Sequence, residues 1–163
     1  MSNVCLLFGT PRIKGKESFL AKLRDVQNEY KCVILALDAD KVAGEKHAIF
    51  AAEKALRAVS ENRNVAKNIG VEIMRYASGQ RQIERALSMG ISDTTSRIAL
   101  ILVENGTKPD LSGVIDLDGR GPSWNPKAVR ETFNIGDEEI EAVGEDKILD
   151  LVLERVALVD AYR

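Results

Sequence analysis

The sequence is poor in the residues that bind metals and form disulfides. Its 163 residues include only two cysteines and one histidine. A structural zinc site needs about four Cys or His ligands close together, and Cys5, Cys32 and His47 do not cluster. We therefore expect no metal site, no disulfide framework and no cofactor. Both cysteines lie among Val, Leu and Ile residues, and we predict that they are buried thiols that pack as small apolar groups.

Long hydrophobic runs are also absent. No apolar segment approaches the ~20 residues that a membrane helix needs, and the first residues lack a basic leader and a cleavage site. Hydrophobic residues make up 45% of the chain and charged residues 29%, which is close to the globular average and argues against disorder. These features predict one soluble, cytoplasmic domain over residues 1–163 with no membrane partner.

An excess of positive charge is absent from the chain as a whole but present in its middle. The net charge is −2. Residues 41–91 nevertheless carry nine basic and five acidic side chains, whereas residues 92–163 carry eight basic and fifteen acidic ones. A basic block in an acidic protein suggests an anionic partner, although an ordinary solvated helical surface would give the same balance.

Short apolar runs separated by helical patterns predict an α/β (α+β mixed) fold with a small central sheet of three to four strands packed with several helices. The run at residues 31–38 is continuous and rich in Val, Ile and Leu, so we predict a buried central strand there. The other predicted strands cover residues 3–8, 97–103 and, at an edge of the sheet, 114–117.

Apolar residues at three- and four-residue spacing predict the helices. These cover residues 17–30, 43–61, 80–89, 126–133, 137–143 and 146–162. Residues 65–77 keep helical spacing too, although the alternation of Val71 and Ile73 leaves a strand open there. We expect Ser78 to cap the helix that follows and Gly90 to end it in a left-handed conformation.

The last predicted helix is apolar around most of its circumference, and residues 118–123 before it are predicted to form a loop. One stripe of the helix consists of Ile148, Val152, Val156 and Val159. Three leucines fall outside this stripe: Leu151, Leu153 and Leu158. Apolar surface in excess of what one core can cover predicts a docking face for a partner protein.

The segment at residues 9–17 imitates a phosphate-binding loop, because two glycines lie between a predicted strand and a predicted helix. The imitation is poor. Five residues separate the glycines where four are required, Pro11 lacks a donor N–H, and Glu17 stands where a hydroxyl should bind magnesium. His47 has no partner that would make it a catalytic base, and the chain has no nucleophile motif. We therefore predict that the protein is not an enzyme and has no small-molecule substrate.

The helix at residues 43–61 carries the most informative pattern. On a helical wheel its buried stripe is rich in alanine: Ala48, Ala52, Ala55 and Val59, flanked by Ala51 and Ala58. Phe50 falls on the opposite side, where its neighbours are cationic: Lys46, Lys54 and Arg57. An aromatic ring surrounded by cations suits a stacked base or a groove in a partner protein. A further element of the same domain could also cover it.

These residues resemble the small kinase-binding subunit of the KEOPS complex, the family of the PRPK-binding protein. The shared motifs are Val42-Ala-Gly-x-x-His47, Ala51/Ala52 with Ala55-Leu56, Glu72-Ile73 with Tyr76-Ala77, Gln82-Ile83 with Ala86-Leu87, Gly90-Ile91, and Glu154-Arg-Val-Ala-Leu158. They occur in order over about residues 30–160, which makes the resemblance more specific than any single motif.

The resemblance implies a non-catalytic subunit of the complex that makes N6-threonylcarbamoyladenosine (t6A) on tRNA. Members of the family bind the complex's atypical kinase/ATPase subunit, support its activity and hold the single-stranded 3′ CCA end of tRNA. The candidate tRNA-binding residues are Lys46, His47, Phe50, Arg57, Arg75, Gln80, Arg81 and Gln82. For the kinase we predict contacts through Leu151 and Leu158 of the last helix.

Two alternatives stay open at this point. One is a nucleotide-binding domain or small enzyme that uses the loop at residues 9–17. The other is a structural adaptor that never contacts RNA.

Overall fold

The computed structural model describes residues 3–118 and 125–161. Its strands form one four-stranded antiparallel sheet in the order β2-β3-β1-β4. The strands are β1 (Asn3–Pro11), β2 (Val33–Asp38), β3 (Ile98–Glu104) and β4 (Ile115–Leu117). In the two longest pairings, Leu6 of β1 lies opposite Ile101 of β3, and Ile101 lies opposite Leu35 of β2. The predicted mixed fold with a small sheet is confirmed.

Seven α-helices pack with this sheet in the described part of the chain. They are α1 (Lys16–Tyr30), α2 (Gly44–Ser60), α3 (Ile69–Ser78), α4 (Ile83–Ala86), α5 (Pro126–Phe133), α6 (Asp137–Val143) and α7 (Ile148–Leu158). Short 3₁₀ turns cover Ala39–Lys41, Leu87–Met89 and Glu145–Lys147.

Both faces of the sheet are covered, which explains why its strands are apolar without alternation. On one face Leu35, Leu37 and Ile101 join a core with α2, α3, α5 and α7. On the other face Ile34 and Leu100 pack with α1 and with the segments that flank β3 and β4. We call these the α2 face and the α1 face. Side chains of β2 and β3 therefore alternate between two cores rather than between core and water.

The predicted central position of β2 is wrong. This strand pairs only with β3 and lies at an edge of the sheet, while β3 lies inside it. Burial on both faces made β2 look central in sequence. Its open backbone edge is blocked locally, because the Ile34 N–H donates to the side-chain oxygen of Gln27 and Leu37 forms an isolated bridge with Gly90. Blocked edges of this kind protect a sheet from pairing with other chains.

The helical spacing predicted for residues 65–77 is confirmed from residue 69 on, because α3 covers Ile69–Ser78, and the strand alternative at 71–77 is wrong. Two details of the middle segment differ from the predictions. Ser78 is the last residue of α3 and not a cap for the next helix, which is shorter than predicted and continues as a 3₁₀ turn. Gly90 has φ −72°, an extended conformation. The left-handed glycine is Gly79, with φ +69°, where α3 ends. The chain turns sharply after α3, and this turn separates α3 from α4.

Near the C-terminus the predictions hold more closely. Helices α5 and α6 match the predicted ranges, and β4 lies at the edge of the sheet beside β1. Helix α7 begins two residues later than predicted and ends at Leu158, before the predicted end at residue 162. All four residues of the predicted stripe are buried, the last of them just after the helix. The predicted loop at 118–123 lies, beyond residue 118, outside the described residues. In the described ranges, no helix combines the length and apolar character needed to span a bilayer.

Candidate functional site

Helix α2 places its small residues against the core and its cations toward solvent. The fully buried positions are His47, Ala48, Ala51, Ala52, Ala55 and Ala58. The buried stripe is thus shifted toward His47, and Val59, predicted inside it, is only half-buried. The exposed side carries Lys46, Phe50 and Arg57. Phe50 is 36% exposed, and the Lys54 ammonium lies 5.5 Å from the centre of its ring. The predicted pairing of a solvent-facing ring with a cation is present in the structure.

His47 lies in the core and bridges two helices. Its Nδ1 accepts a hydrogen bond from the Ala43 N–H at 2.9 Å, so its Nε2 carries the proton and donates to the Ala77 carbonyl at 2.7 Å. The Phe133 ring packs edge-on at 5.3 Å. Burial lowers the pKa of His47 to about 4, although the hydrogen bond to Ala77 works in the opposite direction. The imidazole is therefore neutral at physiological pH, and both its nitrogens are occupied within the fold. The structure shows no surface on which His47 could contact RNA.

Arg75 is also buried, and it holds together two segments around α3. Its guanidinium donates to both carboxylate oxygens of Glu72 at 2.9 Å, and its Nε donates to the Arg81 carbonyl at 2.7 Å. One carboxylate oxygen of Glu72 also accepts the backbone N–H groups of Val65 and Ala66. An isolated buried charge is very costly, but here each charged group has hydrogen-bonding partners. Arg75, predicted to bind RNA, instead positions the backbone at Arg81.

The turn at residues 79–82 follows directly from this arrangement. Gly79 has positive φ, and an added Cβ would lie 3.2 Å from the Cβ of Arg155. Glycine is therefore favoured both by the backbone conformation and by the close approach of α7. The Gln80 N–H donates to the Arg75 carbonyl and to the Ser78 hydroxyl. Hydrogen bonds from the backbone and from buried side chains fix the turn, while Arg81 and Gln82 are exposed.

Two shallow grooves meet at this turn. The first has a volume of about 250 Å³ and is lined by Gln80, Arg81, Gln82, Arg85, Leu158 and neighbouring atoms of α7. The second has a volume of about 510 Å³ and is lined by Arg63, Val65, Arg75, Tyr76, Arg81, Gln82, Val159 and Asp160. Leu158 is 38% exposed, whereas Leu151 is half-buried and packs on the core. The structure thus brings one residue predicted to bind the kinase beside three predicted to bind tRNA.

A network of charges beside the second groove was missed in the sequence. The carboxylate of Asp160 contacts Lys54 at 2.7 Å, Arg63 at 3.3 Å and the Tyr76 hydroxyl at 2.5 Å. Burial works to raise the pKa of Asp160, but hydrogen bonds from Lys54, Tyr76 and Arg63 outweigh it and hold the pKa below its usual value. Burial and the neighbouring Asp160 raise the pKa of Tyr76 to about 12. These groups come from sequence positions 54 to 160, so no local motif could reveal them.

The loop at residues 9–17 lies on the α1 face and does not form a phosphate cradle. Gly9 belongs to β1, where a Cβ would lie 2.2 Å from the Asp116 carbonyl oxygen. The Lys16 N–H, the donor nearest the start of α1, is bonded to the carboxylate of Asp93. An anion at this helix terminus would have to displace a carboxylate. A groove of about 370 Å³ adjoins the loop.

The described residues contain no group of three or more His, Cys, Asp or Glu side chains that could hold a metal ion. Cys32 is buried and Cys5 is half-buried, and burial raises the pKa of both thiols. The arrangement at residues 79–82 offers amides, a guanidinium and apolar atoms at a shallow surface. These groups are typical of a surface that binds a partner.

Comparison with known proteins also indicates a binding protein. Residues 13–160 match the family model described as kinase binding protein CGI-121. Because the match covers most of the chain, the protein belongs to this family of kinase-binding proteins. The regulatory protein Cgi121 of Methanocaldococcus jannaschii is 30% identical over 129 residues, which cover 76% of this chain and 81% of the relative. The family predicted from the sequence motifs is confirmed.

Proposed function

We propose that the protein is a non-catalytic regulatory subunit that binds a protein kinase and holds the single-stranded 3′ CCA end of tRNA for t6A modification. The kinase partner is the atypical kinase/ATPase subunit of the KEOPS complex. The family match and the name of the archaeal relative support the kinase-binding half. The tRNA half rests on one observation, the exposed and internally braced turn at residues 79–82.

This turn has the chemistry that single-stranded RNA requires. Unpaired bases are read by amides on their hydrogen-bonding edges and by stacking on aromatic or guanidinium planes. Gln80 and Gln82 supply amides, and Arg81 supplies a guanidinium. A turn whose backbone is already fixed loses little further conformational freedom when a ligand binds. Both grooves beside it are open and shallow, which suits a flexible strand.

The ridge of α2 extends the proposed surface. The Phe50 ring can stack a base, and Lys46 and Arg57 lie on the same exposed side of the helix. His47 and Arg75 have no direct contact with RNA in this proposal. They act through the carbonyl groups of Ala77 and Arg81, to which they donate hydrogen bonds.

For the kinase we propose the flank of α7 that carries Leu151 and Leu158. Leu158 supplies the exposed apolar surface, and Leu151 supports it from a half-buried position. Gly79 closely approaches Arg155, so this flank adjoins the turn at residues 79–82, and in this proposal the two partners bind at adjoining surfaces.

The test is binding of the purified chain to one tRNA, intact and with its 3′ CCA removed, at moderate salt. We expect the intact tRNA to bind and the trimmed tRNA to bind at least about fivefold more weakly, the effect of losing one stacked base. Equal binding of the two tRNAs would show that the basic surface attracts RNA only through nonspecific electrostatics. Normal kinase association with no tRNA binding at any salt would instead identify a structural adaptor.

A further inference from the structure

Three hydrogen-bond donors from three different segments converge on the carboxylate of Asp160. Lys54 projects from α2, Arg63 from the loop after α2, and Tyr76 from α3. Lys54 contacts one carboxylate oxygen at 2.7 Å, while Arg63 and Tyr76 contact the other at 3.3 and 2.5 Å. Two cations and a hydroxyl thus surround one carboxylate, an arrangement that suits an oxyanion. Arg63 also binds the carboxylate of Glu61 at 2.6 Å.

The anion that fills this site comes from the turn that follows α7. Asp160 lies two residues beyond the last residue of α7, in a turn whose i→i−3 hydrogen bonds measure 3.3 Å at Val159 and Asp160 and 3.0 Å at Ala161. Such a stretch can release its side chain at lower cost than the interior of a helix. The donors, by contrast, project from helices α2 and α3 and from the loop between them.

The site is also reachable from solvent. The side chains of Arg63, Lys54 and Asp160 are 20%, 21% and 26% exposed. Arg63, Tyr76 and Asp160 line the groove of about 510 Å³, and Arg81 and Gln82 line the same groove. A strand held at the turn would therefore pass beside the carboxylate, where its negative backbone and Asp160 would compete for the same donors.

We propose that Lys54, Arg63 and Tyr76 form a binding site for a backbone phosphate of single-stranded RNA, and that Asp160 occupies this site until RNA displaces it. This inference rests on the proposed RNA-binding function and extends it. RNA binding would release the Asp160 side chain, which couples occupancy of the groove to the end of α7. The internal carboxylate also lowers the affinity of the free subunit for phosphates in general.

The substitution Asp160→Asn tests the competition. It removes the negative charge and keeps the shape of the side chain. We expect the affinity for a short single-stranded RNA ending in CCA to rise about three- to fivefold, the value of one partly exposed charge pair. The slope of log affinity against log salt should stay unchanged, because the bound RNA makes the same phosphate contact in both chains.

The matched control is Asp150→Asn, which makes the same change in net charge at an exposed position of α7. If both variants raise RNA affinity equally, the effect is general electrostatics and the proposal is wrong. Addition of Lys54→Ala to Asp160→Asn should abolish the gain. A gain that survives the loss of Lys54 would also overturn the site.

Two further results separate the possible failures. If the wild-type chain binds RNA and Asp160→Asn binds no better, the occupied-site proposal fails while the proposed function stands. If neither chain binds RNA at low salt, both fail. Inorganic phosphate is a further probe of the site. A phosphate-induced rise in the melting temperature of Asp160→Asn, without any gain in RNA affinity, would assign the site to free phosphate and overturn the RNA proposal.

If Asp160→Asn fails to fold, the single substitution Lys54→Ala in the wild-type chain tests the proposal instead. It leaves Asp160 with Arg63 and Tyr76, so the fold keeps two of the three contacts. We expect weaker RNA binding and a salt dependence flatter by about 0.7. An unchanged salt slope would overturn the proposal.

Discussion

The two faces of the sheet are built from the same strands but from different chemistry. The α1 face is a plain hydrophobic core, in which Phe19, Leu23 and Val26 of α1 pack on the sheet. The α2 face contains all the buried polar or charged side chains of the described residues: His47, Glu72, Arg75 and Ser78. Buried polar groups are costly unless they are bonded. On this face the buried polar groups fix the backbone around α3, and the turn that follows α3 is the candidate RNA-binding surface.

The largest expected effect breaks the buried pair on the α2 face. Glu72→Ala leaves the Arg75 guanidinium buried without its carboxylate and removes the acceptor of two backbone N–H groups. We expect a loss of about 3–5 kcal/mol in the free energy of unfolding, measured by urea denaturation. Glu72→Leu combined with Arg75→Met should cost much less, because no unpaired charge remains. A double variant as unstable as Glu72→Ala would show that the cost is not one of unpaired charge.

The next effect is a pH dependence that only the α2 face should produce. In the folded state His47 has a pKa of about 4, against 6.5 for an unperturbed histidine. Between these values the unfolded chain binds more protons, so the contribution is fully present above pH 6.5 and is lost as the pH falls toward 4. It amounts to about 3 kcal/mol.

Urea denaturation between those two pH values measures this contribution. His47→Gln is the matched comparison, because it cannot titrate whatever its absolute stability. An unchanged pH slope in His47→Gln would contradict the assignment to His47.

A smaller expected effect is the loss of stability when a side-chain hydrogen bond at the start of α3 or of α1 is removed. Asn68 caps α3, and its side chain accepts the Val71 N–H at 3.1 Å. Asn68→Ala should cost about 1 kcal/mol of stability. At the start of α1, Asp93 plays the corresponding part from a distant, exposed position, and Asp93→Ala should cost less than about 0.5 kcal/mol. Thermal unfolding of both variants checks the order, and the reverse order would contradict it.

The smallest expected effect is none at all. ATP with magnesium should leave the melting temperature unchanged, because the loop at residues 9–17 is not shaped as a phosphate cradle. A ligand present at a hundred times its Kd would add about 2.7 kcal/mol, which is easily seen. A clear rise would restore the nucleotide-binding alternative and move the functional site to the α1 face.

Much of the fold could be predicted because its signals are local. The continuous apolar run before Asp38 predicted a strand, and the three- and four-residue spacing in α2 predicted both a helix and the outward position of Phe50. The order of the strands could not be predicted, because β2 is buried on both faces although it lies at an edge. The sequence pattern indicates burial, whereas the position of a strand in the sheet depends on pairing with residues about 60 to 70 positions away.

The candidate site was predicted less well for a related reason. A wheel placed His47 beside alanines but could not show that Ala43 and Ala77 occupy both its nitrogens. Arg75 did carry a usable signal, because Glu72 lies three residues earlier among Ile73, Met74 and Tyr76. Opposite charges at that spacing in an apolar helix indicate a buried pair. The cluster around Asp160 had no such signal, since its members meet only in the folded chain.

The most direct test of the central claim compares Arg81→Ala with Arg24→Ala in their affinity for tRNA with an intact CCA end. Both arginines are exposed, and they lie on opposite faces of the sheet. We predict that loss of Arg81 weakens binding at least about fivefold, as expected for a stacking or phosphate contact. Loss of Arg24 should have little effect. Equal losses, or no loss for Arg81, would contradict the account.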